Sequence, residues 1–496
     1  MGCQKSADKV KLADIAVSPA SVSLTVGEEQ QLTATPSPAD VDRSELPLLF
    51  QSDNSVVASV STSGLIHGLA AGTARISITG QLNRTIAKSV PVTVKAASVP
   101  LTGITVTPDT LELIAGQTGQ LKAVSASEGA TVGSYMWQSA DQQIATVSIS
   151  GLVSGKSVGT TNITVSADGF TATALVEVVP SYKNPVLAKD TPDPSVIKAA
   201  DGYFYVYSTE SNGVLMPIHR SKDLVNWEFV GACFSESTRP KWESGAGIWA
   251  ADINYIKGKY VLYYAFSVWG GEWTCGIGVA TADRPEGPFT HAGPYVGTAE
   301  AGMLFRSNGI GVQNSIDPCY IEDAGRSWLV WGSHQGIYCV ELESDGLSLK
   351  AGAQAKLIAG QPNNEGFEGA QIHKRGNYFY LFASWGSCCN GASSTYRTVV
   401  GRATNLHGPY LTQSGGSMSN NQYDTVIQGN NTFAGVGHSS RLIADDEGSE
   451  YVLYHGYRKS DGAGRFLFLD KIVWENDWPT VVNKTPSTQA KAPVFD

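Results

Sequence analysis

Gly202-Tyr-Phe-Tyr-Val-Tyr207 decides how this chain is read, because its pattern returns four times while its identity does not. A glycine turn leads into an aromatic-rich run at Gly258 before Tyr260-Val-Leu-Tyr-Tyr264 and at Gly325 before Trp328-Leu-Val-Trp331. The same happens at Gly376 before Tyr378-Phe-Tyr-Leu-Phe382 and at Gly448 before Tyr451-Val-Leu-Tyr454. A turn followed by an aromatic strand is a hairpin signal, so there are five hairpins. The runs start at 203, 260, 328, 378 and 451, which are 57, 68, 50 and 73 residues apart. That spacing suits four-stranded blades with loop insertions better than a continuous sandwich. Residues 181–496 are therefore read as a five-bladed β-propeller.

The remaining length requires further domains. The chain has 496 residues, and domains usually span about 100–200. Charged residues make up only 16%, while 53 glycines and 22 prolines imply many turns and few long solvated helices. The whole chain is expected to be all-β. A net charge of −10 gives no electrostatic support for binding a phosphate backbone, so a nucleic-acid partner is set aside in favour of a neutral, glycan-like ligand. No run approaches the roughly 20 apolar residues of a membrane span, and no apolar signal core follows Met1.

A second repeat fills the first 180 residues. Ile15-Ala-Val-Ser-Pro19 recurs as Ile104-Thr-Val-Thr-Pro108, and Gly27 with Leu32 recurs as Gly116 with Leu121. Later in each copy, Ser63-Gly-Leu65 matches Ser150-Gly-Leu152 and Gly72-Thr73 matches Gly159-Thr160. Two tandem modules are thus placed at 11–96 and 100–180, after a tail at 1–10. Segments such as Ala74-Arg-Ile-Ser-Ile78 alternate with the period of a half-buried strand, as in a sandwich. The modules resemble bacterial immunoglobulin-like domains of the second group. Neither has a cysteine, so no inter-sheet disulfide staples them, and with no cluster of catalytic residue types their expected work is spacing or adhesion.

Cysteines gather late in the chain, apart from Cys3. Met1-Gly-Cys-Gln-Lys-Ser6 fits a myristoylation pattern, but Cys3 looks more like the lipid-bearing cysteine of a bacterial surface lipoprotein. The expected location is the cell surface or periplasm, with the membrane reached only through that anchor and the protein a monomer. Cys233, Cys275, Cys319, Cys339, Cys388 and Cys389 have no zinc-site spacing. The adjacent Cys388 and Cys389 admit either a vicinal bridge or two separate contacts.

Just upstream of each aromatic run, on what should be the innermost strand of its blade, stands a polar residue. These are Asp193, Asp252, Asp317, Glu368 and His438. Arranged around an axis, the five converge on one end of one funnel, where they would shift one another's pKa values. Glycoside hydrolysis needs one protonated and one ionised carboxyl beside the scissile bond, and a third acidic group can raise the pKa of the acid. Any one Asp-Pro pair here could be a plain turn. The signal is the repeated position.

At these residues the chain resembles family 43 glycoside hydrolases, over essentially all of 183–485. The resemblance rests on Thr191-Pro-Asp-Pro-Ser-Val-Ile197, Trp249-Ala-Ala-Asp-Ile253, Asn314-Ser-Ile-Asp-Pro318 and Glu365-Gly-Phe-Glu-Gly-Ala370. It rests too on Cys388-Cys-Asn-Gly-Ala-Ser-Ser-Thr-Tyr-Arg397, Val400-Gly-Arg402 and Gly437-His-Ser-Ser440. It implies Asp193 as general base, Glu368 as general acid and Asp317 as the group that tunes and orients the acid. It also implies inversion, with base and acid roughly 6.5–9.5 Å apart.

The arabinan-cleaving branch is the nearest likeness, and in it a histidine at the position of His438 helps hold a metal, often calcium, through waters. No organic cofactor is implied. Ala251 and Ala370 stand where many relatives have proline, and the long segments 287–312 and 411–434 reshape the rim. Endo or exo action therefore stays open. Xylosides, galactofuranosides and glycan binding without turnover are the alternatives to arabinan or arabinosyl side chains. Trp249, Trp269 and Trp242 are candidates for stacking on sugar, and Arg397 and Arg402 for bonding hydroxyls or carboxylates. Asp252 is expected beside the base, and His334 and His373 as surface or satisfied core histidines. The base itself is expected to be held by the channel rather than to hold it together.

Overall fold

The computed structural model describes residues 10–42, 46–130, 132–362 and 366–495. Cys3 and Glu365 lie outside the described residues. The chain forms two compact units, the first holding the bulk of the residues up to Glu177 and the second running on from Val178.

The first unit contains one sandwich topology twice. In the first copy, a four-stranded sheet orders Val22–Thr25, Ala87–Lys95, Gly72–Thr79 and Leu49–Ser52, opposite a three-stranded sheet of Glu29–Gln31, Leu65–Gly68 and Ala58–Val60. The second copy repeats it strand for strand. Thr110–Ile114, Phe170–Val179, Gly159–Ala167 and Met136–Ser139 form one sheet, and Thr118–Gln120, Leu152–Gly155 and Ala145–Val147 form the other. Alternation explains the layers: Val90, Val92 and Val94 are buried while Ser89, Pro91, Thr93 and Lys95 face out. Each valine so buried contributes about 1.5–3 kcal/mol.

The second unit is the five-bladed propeller. Its blades begin on the inner strands Ser195–Lys198, Gly247–Ile256, Cys319–Asp323, Glu368–Arg375 and Phe433–Gly437. Each inner strand pairs antiparallel with the aromatic strand that follows it: Phe204–Tyr207, Lys259–Ser267, Arg326–Trp331, Tyr378–Trp385 and Glu450–Arg458. These second strands are buried on both faces because each feeds two apolar wedges. Tyr205 and Tyr207 pack with blade two, while Phe204 and Val206 pack with blade five. Tyr263 joins Leu329 and Trp331 between blades two and three, and Tyr380 joins Tyr454 between blades four and five. A side-chain period of two thus supplies alternate neighbours.

The ring closes where its ends meet. Ser181–Lys183 pairs antiparallel with Gln489–Lys491. Asn184 clamps blade five by donating to Leu469 O (2.8 Å) and accepting from Leu469 N (2.9 Å).

At the hub, backbone geometry repeats in every blade. Asp193, Ala250, Asp317, Gly369 and His438 all have positive φ, between 41° and 59°. This left-handed turn swings each residue toward the axis. Two residues further on stand Ser195, Asp252, Cys319, Gln371 and Ser440, one ring deeper. Asp252 is fully buried there, its Oδ2 accepting from Asn254 Nδ2 and Tyr320 N at 2.7 Å. Arg441 of blade five reaches across to blade two, where its guanidinium contacts Asp252 Oδ1 (3.3 Å), Ile253 O (2.7 Å) and Asn254 Oδ1 (2.8 Å). Arg441→Met leaves a buried carboxylate without its counter-charge. It is expected to destabilise the propeller by about 3 kcal/mol, read as a lowered midpoint in urea unfolding at unchanged slope.

Candidate active site

Three carboxyls and two imidazoles meet at the upper ring of the hub. Asp193 leaves its blade as a left-handed residue, and its Oδ2 accepts from Thr209 Oγ1 at 2.6 Å and from Arg465 at 3.3 Å. Its Oδ1 lies 3.2 Å from Nδ1 of both His438 and His455. The backbone N–H of Asp193 donates to His455 Nδ1 (3.1 Å), so that nitrogen is an acceptor and His455 is neutral. Burial also lowers the pKa of His455.

Asp317 and Glu368 sit on adjacent blades and are tied by backbone. Asp317 Oδ2 accepts from Gly369 N at 3.0 Å, the residue after Glu368. Glycine is needed at 369, because a Cβ there would stand 3.0 Å from the His438 ring. Glu368 Oε2 accepts from Ser333 Oγ (2.8 Å) and lies 3.3 Å from His334 Nε2. Tyr396 is 2% exposed, and its ring stacks on His455 with centroids 5.6 Å apart.

Environment pushes these acids apart. Burial works against the charged form of Asp193, yet Arg465 and His438 outweigh it and hold the carboxyl well below the ordinary aspartate range. Burial also opposes charge on His438, but Asp193 pushes its imidazole up to about 9. For Asp317 burial works with the nearby Glu368 and Asp193 charges and raises it to about 7, against His438. Burial alone would raise Glu368, but His334, Tyr396 and Ser333 bring it below the usual glutamate range. Asp317 and Glu368 titrate as a pair that keeps one proton near neutrality, while Asp193 stays ionised. An ionised carboxylate beside a proton-bearing pair is the equipment of acid–base hydrolysis.

The sequence model of glycosyl hydrolases family 43 matches residues 182–479, and that of the bacterial Ig-like domain (group 2) matches 12–90 and 100–177. The chain belongs to glycosyl hydrolase family 43. It is 33% identical over 315 residues to an extracellular exo-α-(1→5)-L-arabinofuranosidase of Cellvibrio japonicus, covering 60% of this chain and 87% of that one. It is 30% identical over 299 residues to an extracellular endo-α-(1→5)-L-arabinanase of Bacillus subtilis, covering 58% and 86%. The solved structure of Cellvibrio cellulosa α-L-arabinanase with arabinohexaose superposes with a TM-score of 0.52 at 30% identity, covering 60% and 96%. The protein is an O-glycosyl hydrolase.

Within this family 43 propeller, other expected residues fall in different places. Asp252 is not beside the base: it is one ring deeper, fully buried and engaged by Arg441, Asn254 and the Tyr320 amide. Trp249 lies 5.5 Å from Trp269, which is 80% exposed. Trp242 is core, buried edge-on against Phe266. Arg397 follows Tyr396, and its Nε is buried with no hydrogen-bond partner among the described residues. Arg402 instead stacks on Tyr378 and Trp478, joining blades four and five. Cys388 and Cys389 are bonded to each other.

His438 was expected to hold calcium through waters. Its Nδ1 faces Asp193, and among the described residues no group of three His, Cys, Asp or Glu side chains is arranged to hold a metal. A metal held through waters needs no such direct cluster, and the chemistry below is derived from the side chains alone. Asp193 also links stability to pH. Its depressed pKa stabilises the fold above the ordinary aspartate value, and that contribution is lost as pH falls through the folded value.

Thr209, Ser333, His334, Tyr396, His455 and Arg465 were not assigned to the site from sequence. Thr209, Ser333 and His455 come one or two residues after an aromatic run, which is a legible signal once the second strand is known to border the hub. Asp317→Asn removes one carboxyl of the proton-sharing pair. The alkaline limb of the kcat/KM against pH profile is expected to move down by about one unit, because Glu368 then holds its proton without a neighbouring charge.

Proposed function

We propose that the propeller cuts α-1,5-linked arabinofuranosyl chains of plant arabinan by single displacement, with Asp193 as base and Glu368 as acid. The observation that carries this is the hub itself, where Asp193, held by Thr209, His438 and Arg465, meets Asp317 and Glu368, which adjoin through the Gly369 amide. The arabinan-active relatives supply the sugar.

In this mechanism Asp193 takes a proton from a water, whose oxygen attacks the anomeric carbon. Glu368 gives its proton to the departing glycosidic oxygen, so that fragment leaves as a neutral alcohol while positive charge develops at the anomeric carbon. Arg465 and His438 keep Asp193 ionised and in place. Glu368 Oε1 has no hydrogen-bond partner among the described residues, so it is the oxygen proposed to carry the proton to the leaving group. The exposed Trp269 and neighbouring Trp249, their planes tilted by 46°, offer apolar ring faces for sugar. Arg397, the residue after Tyr396, is the proposed donor for sugar hydroxyls.

The relatives are extracellular enzymes, and the same location is proposed here. Cys3 would be the lipid-bearing residue at a bacterial surface, with the two Ig-like domains spacing the propeller from the membrane.

Reducing-sugar release from arabinan, arabinoxylan, arabinogalactan and aryl glycosides tests the reading, with arabinan expected to be the best substrate. Asp193→Asn and Glu368→Gln should each lower turnover on arabinan about 10³-fold while binding is kept. Proton NMR of the first product should show the inverted anomer. A parent protein that binds arabinan without releasing sugar would overturn the hydrolytic assignment.

A further inference from the structure

Trp273 is an aromatic side chain that the chemistry above does not use. It is 50% exposed and stands four residues after Trp269, which is 80% exposed. Both lie on the loop 268–275, which joins the second strand of blade two, Lys259–Ser267, to the third, Gly276–Ala282. The ends of the second strands border the pit. Thr209, Ser333 and His455 stand at that end of blades one, three and five, where they contact Asp193 or Glu368. The loop carrying Trp273 opens from the same end of blade two.

The backbone of this loop is pinned. Gly271 N donates to Val268 O (2.9 Å) and Cys275 N donates to Gly271 O (2.8 Å), closing a turn so tight that a Cβ at 271 would stand 2.7 Å from Val268 Cγ1. Trp273 O accepts from Asn308 N (3.2 Å), and the preceding Glu272 O accepts from Asn314 N (2.7 Å). Asn314 Nδ2 in turn donates to Ser333 O (3.0 Å), and Ser333 Oγ donates to Glu368. At its far end Cys275 packs with Ala265, Ile316 and Trp249. A half-exposed indole on a backbone fixed in this way is ready to be covered without the cost of ordering a loop. The exposed Glu272 beside it and the net charge of −10 disfavour an anionic partner and suit a neutral one, whose C–H faces can lie on an aromatic ring.

Depth decides which part of such a partner reaches Trp273. Asp193 and Glu368 are only 9% and 7% exposed, so a linear chain with its scissile bond down at these carboxyls must leave the pit over the rim. We propose that Trp273 forms a further sugar subsite on that rim, stacking on an arabinofuranosyl unit away from the scissile bond and so favouring long chains over short ones; this rests on the arabinan reading of the pit. A unit bound there contributes to the reaction only when the chain is long enough to reach it.

The test uses the full chain and the linear α-1,5-arabinooligosaccharides from the disaccharide to the octasaccharide, together with arabinan. For Trp273→Ala, kcat/KM on the shortest members that the parent cuts should match the parent. On the octasaccharide and the polymer it should fall about tenfold, the factor expected of one stacked ring. Trp273→Phe should restore most of the loss and Trp273→Gln none of it. Binding gives a readout separate from turnover: in a Glu368→Gln background, adding Trp273→Ala should raise the Kd for the octasaccharide about tenfold. An equal loss on short and long members marks a structural part for the indole and overturns the subsite. A changed oligomeric state with the length profile unaltered points to a second copy as the occupant and overturns it too. A parent that cuts the series beside a Trp273→Ala variant with the same length profile overturns the subsite alone, whereas a parent that neither cuts nor binds the series overturns the arabinan reading and the subsite with it.

Discussion

Hydrogen bonds across the five blade junctions organise this propeller. At every junction one blade contributes a polar group that meets the inner strand of the next. Thr209 accepts the Ala250 amide, Asp252 the Tyr320 amide, Asp317 the Gly369 amide, Ser384 the His438 amide and His455 the Asp193 amide. Left-handed residues on the inner strands interrupt the ladder, with register shifts at Trp249/Asp252 around Ala250, at Glu368/Gln371 around Gly369 and at Ala434/Gly437 around Gly435. Buried amides freed in this way must find partners. A polar hub is therefore a structural necessity before it is a catalytic one.

The pit uses that necessity. Asp317 and His455 each serve a junction and also face the catalytic groups. Opposite charges gather on one side, where Arg465 and His438 keep Asp193 ionised, while on the other side burial, helped by the nearby Glu368 and Asp193 charges, raises Asp317. Two environments a few ångströms apart thus give carboxyls of similar chemistry different work. Around this centre the apolar wedges supply the stabilisation. Each aromatic strand divides its side chains between two neighbouring blades, so no blade buries its own surface alone.

Much of this was legible in the residue order. Five glycine turns ahead of aromatic runs predict five blades, and the polar residue ahead of each run predicts what points inward. Asp193, Asp317 and Glu368 can be named this way because side-chain period and blade length are local properties. Asp252 shows the limit. It belongs to the same series by spacing, but the left-handed residue of its blade is Ala250, so the carboxyl lands one ring deeper and pairs with Arg441. His334 shows the opposite failure, since a lone histidine in Ser333-His-Gln335 carries no pattern.

The sequence by itself therefore determined the number and kind of domains, the blade count and the family, since periodic burial and motif spacing are written along the chain. Only the tertiary structure decided which polar residues share the pit, which lock the axis beneath it, and which carboxyl is ionised. Those outcomes depend on distances between residues as remote as 193 and 465, or 252 and 441. Charge–charge interaction and burial act through space, and contour position does not encode them.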